Sequence, residues 1–215
     1  LEAGVPVLTE RLRGEIATTH EAIEHTPLAV AMQAGTLAPD EYRGLVRQLW
    51  HLHDGIEPAC QRATCLFPAL ATVYDPDRDR RDVLAADLVA LGDPNPGRPH
   101  PEVVALCTIA TSAALDTPWA LAGVLYVLEG SRMGSTTLAR TLAAGWGTVP
   151  APGRGLDYHL HHLASRGSLW VSFRQALDAL PLSPAWQDDV CASARHTMDH
   201  FLRLYADLRV AACAR

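Results

Sequence analysis

YVLEGSRMGSTTL, Tyr126 to Leu138, lies in the middle of a long apolar, alanine-rich run that otherwise reads as one helix. Gly130 and Gly134 stand four residues apart inside it, where each glycine costs about 0.5–1 kcal/mol relative to alanine. Two glycines at that spacing clear one helix face. A bare face admits a second helix in close packing or a flat ligand against the backbone, and glycine also eases a bend. Ser131, Ser135 and Thr136 add hydroxyls to the same stretch. The spacing alone leaves both readings open.

Outward from this stretch, helical periodicity dominates and strand alternation is nearly absent. Leu8, Leu12, Ile16, Thr19 and Ile23 place one stripe on a first helix, with Thr9 as its cap. Pro39 opens a second helix at its first turn, where Leu45, Leu49, Leu52 and Ile56 recur at helical spacing. DPDRDRRD (75–82) reads as a charged turn before a short helix over 83–91, and the prolines of GDPNPGRPHP (92–101) break structure. Further helices are expected over 102–114, 118–144, 168–180 and 184–212, with a Gly/Pro loop at 145–155. No internal repeat or low-complexity linker interrupts this pattern. The expectation is an all-α, multi-helical single domain over 1–215.

The chain has 215 residues, a formal charge of -6 and no Lys/Arg block, which argues against nucleic acid as a partner. No apolar run reaches the length of a membrane span, and the first residues lack the basic and apolar regions of a signal peptide. Five cysteines without a CxxC pair read as thiols in a reducing compartment, so a cytoplasmic location is expected.

His20 is the first candidate for chemistry, four residues beyond Ile16 and beside the apolar stripe. A neutral imidazole facing a cavity can ligate a metal, and Glu24, one turn on, is placed to share its polar network. The plain alternative is a hydrogen-bonded boundary histidine. Arg13, two turns before His20, offers a guanidinium fork for a carboxylate, as does Arg174 in LWVSFRQAL, or both are solvated surface charges. HLHH (159–162) reads as a solvated or loop-edge cluster, and His51, His53 and His162 as structural.

Together these pieces resemble heme oxygenase, in particular the bacterial biliverdin-forming type associated with bacteriophytochromes. The family's first-helix signature, Leu-basic-x-x-Thr-x-x-x-His-x-x-x-Glu, is matched by Leu12, Arg13, His20 and Glu24, with Ile16 in place of threonine. Its glycine-rich distal segment is matched by Gly130 and Gly134, while Ser135 stands where a further glycine is usual. Ser131 takes the place of the aspartate that organises distal water in the animal enzymes. SLWVSFRQAL through LSPAWQDDVCASARHTMDHFLRLYADL extends the similarity to the last third.

The resemblance implies a heme that is both cofactor and substrate, its iron held by His20. Gly130, Ser131, Gly134 and Ser135 would line the opposite face, and Arg13 and Arg174 would pair with the propionates. With O2 and an external electron donor such as ferredoxin or a flavoprotein reductase, the products would be biliverdin, CO and iron. A bacteriophytochrome would be the biliverdin acceptor. Fold alone does not fix this chemistry. A heme carrier or sensor without turnover is one alternative. A dimetal oxidase using Glu24, Glu57, Asp157 and His161 is another, and a thiamin-degrading hydrolase would need a nucleophile at Cys60 or Cys65.

Overall fold

The computed structural model describes residues 7–213. Among these residues the chain is all-α, with no strand. Helix α1 spans Leu8–Glu24, α2 Pro27–Ala34, α3 Pro39–Leu66, α4 Arg81–Ala90 and α5 Pro101–Asp116. Helix α6 spans Leu121–Ser131, α7 Ser135–Gly145, α8 Asp157–Leu160, α9 Arg166–Asp178 and α10 Pro184–Cys213. No helix among them is long and apolar enough to cross a membrane.

The centre of the molecule is α6, whose residues from Leu121 to Leu128 are all buried. A helix that is hydrophobic on every side must be covered on every side. Helix α10 crosses it, α5 flanks it, and α3 packs against α5. The crossing with α10 is made at Gly123, where an added Cβ would lie 2.2 Å from the Val190 carbonyl oxygen. A second close approach joins Gly145 at the end of α7 to Gly35 after α2, at a site where a Cβ would fall 1.8 Å from the Gly35 carbonyl oxygen.

Four expectations are corrected. The helix expected over 118–144 is divided: a 3-10 turn precedes α6, and a second, Arg132–Gly134, separates α6 from α7. The tightened turn follows Gly130, and the Ser131 hydroxyl donates back to the Leu128 carbonyl at 2.8 Å, a bond that competes with the regular helical ladder. Thr9 is not the cap of α1. Val7 holds that position without a side-chain bond, while Thr9 donates its N–H and hydroxyl to Asp178 of α9, both at 2.8 Å. Helix α2 was not expected, yet it has the full punctuation of one. Thr26 caps it through the Ala29 N–H, Pro27 starts it and Gly35 ends it at φ 68°. HLHH does sit at a loop edge, where α8 gives way to a turn, but it is not solvated throughout, because His159 is buried.

The Gly123→Ala variant is expected to lose about 1–3 kcal/mol of stability, since the new methyl meets backbone rather than a flexible side chain. Urea unfolding of the variant against the parent measures it.

Candidate functional site

Helix α1 buries only Leu8, Thr9 and Leu12 at its start. Further along, Ile16, Ala17, His20 and Ile23 line a cavity of about 450 Å³, Ile16 and Ile23 also packing against the core. The opposite wall is Tyr126, Val127, Gly130, Ser131 and Ser135, on α6, the tightened turn and the start of α7. Trp170 of α9 and Met198, Phe201 and Tyr205 of α10 enclose it, and Tyr158 and His159 form its inner end. The volume falls in the range of small-molecule sites, and the walls are mainly apolar with a few polar groups.

Of the residues singled out from sequence, the fold brings Arg13, His20, Gly130, Ser131 and Ser135 to this cavity. His20 stands at the open rim with a side chain 57% exposed, and its Nδ1 lies 3.5 Å from the Glu24 carboxylate, which is outside the cavity. Arg174 also lies outside the lining, its guanidinium 5.7 Å from the ring centre of Trp170. Burial raises the Tyr126 phenol pKa, and the positive charges of Arg174 and Arg13 both oppose that rise, so the two guanidiniums flank one wall residue. Gly134 is off the lining, with nothing within 4 Å of an added Cβ. At Gly130 a Cβ would meet only Trp170, at an ordinary 3.5 Å. A side chain at 130 would therefore occupy the cavity rather than collide with a helix.

Several wall residues escaped the sequence reading. Phe201 and Tyr205 recur at i, i+4 on α10, a visible signal of a helix face. Tyr158 and His159 had no such signal. Their position depends on Asp87 of α4, which accepts the Asp157 and Tyr158 N–H groups, each at 2.8 Å. Burial raises the Asp87 pKa to about 6 against these two bonds, which lower it. His159 is pushed the other way, to about 4, by burial and then by the charge of Arg166.

The residues considered for a dimetal centre do not converge. Among the described residues no group of three or more His, Cys, Asp or Glu could hold a metal ion. Helix α8 ends at Leu160, so Asp157 and His161 do not share a helix. Glu57 instead accepts from His53 Nδ1 at 2.8 Å and from the N–H groups of Arg80 and Arg81 at the start of α4. Burial opposes ionisation of Glu57, but these bonds outweigh it and its pKa falls. Cys60 is buried and its thiol pushed well above the usual range by burial, the opposite of an activated nucleophile.

An all-α fold around one apolar cavity, rimmed by an imidazole and a guanidinium, defines a helical small-molecule-binding protein. The heme oxygenase family model matches residues 7–207, and the chain belongs to that family. It is similar to heme oxygenase-2 from Synechocystis, solved in complex with heme and NO, at 21% identity and a TM-score of 0.87 over 97% of this chain and 88% of that one. Heme oxygenase from Leptospira interrogans gives 19% identity and 0.84 over 94% and 100%. A TenA homolog from Pseudomonas syringae pv. tomato shares the fold at 13% identity and 0.64, over 96% and 93%. Among curated proteins none matches the chain significantly.

His159 binds protons less readily folded than unfolded, where an ordinary histidine pKa is about 6.5. Its contribution is therefore intact above pH 6.5 and is lost as pH falls toward 4, by up to about 3 kcal/mol. Asp87 titrates in the same window with the opposite sign, so the comparison must isolate His159. The expected result is that His159→Phe unfolds less steeply with acid than the parent between pH 6.5 and 4, measured by urea titration at each pH.

Proposed function

We propose that the chain is a heme oxygenase, cleaving heme with O2 and external electrons to biliverdin, CO and iron. The observation that carries this reading is the cavity itself, a mainly apolar slot with His20 on one wall and the bare backbone of Gly130 on the other. The donor set suits heme: an imidazole nitrogen for iron, a guanidinium for propionate carboxylates and apolar walls for the ring. When bound, heme supplies the redox chemistry, and the protein supplies orientation and electrostatics.

In this reading His20 would hold the iron through Nε2, since Glu24 stands on the Nδ1 side. Arg13, with Arg174 over the Trp170 ring, would hold the propionates and so orient the ring. Gly130 keeps the opposite face open. The Ser131 hydroxyl already donates to Leu128, so toward the cavity it can only accept. Ser131 and Ser135 thus order water where the animal enzymes use a carboxylate. Electrons come from a separate ferredoxin or flavoprotein reductase, and biliverdin passes to an acceptor such as a bacteriophytochrome. A second reading is a heme carrier or sensor without turnover. Ser131 in place of the acidic group favours keeping it in view.

Hemin titration of the purified protein, followed by reductant and air, tests the assignment. The expected result is a saturable Soret band that decays into biliverdin absorbance. A stable band with competent donors selects the carrier, and no saturable band sinks both readings. The His20→Ala variant is expected to lose the ligand-dependent spectrum, and an unchanged spectrum removes His20 as the ligand. Gly130→Ala should separate stability from binding. Alanine favours the helix by about 0.5–1 kcal/mol, so the variant is expected to melt no lower than the parent while binding hemin more weakly.

A further inference from the structure

The inner end of the cavity holds a polar group that the reading above leaves unused. His159 is only 4% exposed, its residue lines the cavity, and neither ring nitrogen has a hydrogen-bond partner within the protein. Buried polar groups in folded proteins are almost always bonded, to protein or to ordered water. The surroundings of this ring offer mainly aromatic faces, Tyr42 at 5.8 Å and Tyr158 edge-on at 5.3 Å. No carboxylate is bonded to it, and burial holds it neutral. A neutral imidazole carries one N–H donor and one lone pair. The occupant that matches it is a small neutral molecule able to donate and accept, which is water; an anion or a hydrocarbon would leave one of the two nitrogens unanswered.

The backbone of His159 is fixed from outside the cavity. Arg166, itself buried, donates Nη2 to the His159 carbonyl at 2.5 Å and Nη1 to the Thr136 hydroxyl at 2.6 Å. Thr136 follows Ser135, which lines the cavity from α7. One guanidinium therefore ties the histidine to the start of α7, and the Asp87 bonds hold the preceding turn. The backbone that carries the imidazole cannot leave the cavity wall without breaking these ties.

We propose that His159 is a positioning residue at the inner end of the cavity, whose imidazole seats an ordered water that hydrogen-bonds to a diatomic ligand on the heme iron. The contact with the iron's ligand rests on the heme reading above, whereas the water seat stands without it. Two measurements separate them. In the apoprotein, 15N-histidine NMR is expected to show a neutral His159 ring with an N–H in slow exchange and a cross-peak to bound water. The resonance is assigned by its disappearance in His159→Phe. A ring without a water cross-peak overturns the seat.

In the ferrous protein loaded with heme and CO, the C–O stretching frequency reports hydrogen bonding to the ligand. His159→Phe is expected to shift the stretch upward and to remove its sensitivity to D2O. His159→Gln, which keeps a donor and an acceptor, should restore part of the shift. A stretch identical in the parent and both variants overturns the ligand contact. Should the parent take up no hemin, the heme reading fails, and the apoprotein spectra still decide whether the water seat exists.

Discussion

The crossing of α6 and α10 at Gly123 is the contact on which the remaining architecture depends. A methyl group at that position has no room beside the Val190 carbonyl, so the two backbones meet as closely as helices can. That approach buries α6 on all sides and fixes where its far end emerges, at Gly130 and Ser131. The same helix thus uses one glycine for packing and leaves another for the cavity. Interiors are close-packed and transmit small displacements, so the position of the cavity wall is set two turns away, at the crossing.

The opposite wall has a different origin. Helix α1 is held at its ends and along its outer edge rather than by a continuous apolar seam. Thr9 is bonded to Asp178, and Arg11 and Glu15 pair with Asp188 and Arg195 of α10, each at 2.6 Å. Its stripe past Leu12 is only partly covered: Ile16 and Ile23 pack against the core on one side and line the cavity on the other. The apolar surface of Ile16 and Ile23 and the imidazole of His20 are thereby offered to a ligand. A flat apolar molecule inserted there removes that surface from water, which is favourable by the same physics that builds the core.

The sequence disclosed the helical class and much of the cavity, because both depend on periodicity. Arg13, Ile16 and His20 share a face of one helix by spacing alone, and Gly130, Ser131 and Ser135 follow from one short segment. What escaped it depended on contacts between residues far apart in the chain. HLHH is polar by composition, and only the grip of Asp87 on the adjacent backbone turns His159 inward. Arg174 reads as a candidate for direct contact, yet it lies outside the lining, over the ring of Trp170, which is part of it. Gly134 looked equivalent to Gly130, but the 3-10 turn rotates it off the wall. Helix α2 shows the reverse case, where capping signals were present in Thr26, Pro27 and Gly35 but its eight residues made too short a periodic stretch to stand out.

The two walls differ in what would let them move. The α6 wall is embedded in apolar packing that salt does not weaken, whereas the charge pairs that secure α1 lie toward solvent, where an ionic atmosphere screens them. The outer wall is thus the one secured partly by screened charges, while the inner wall is held by packing alone. Salt therefore acts on part of what holds the outer wall of the cavity and leaves the inner wall as the packing sets it.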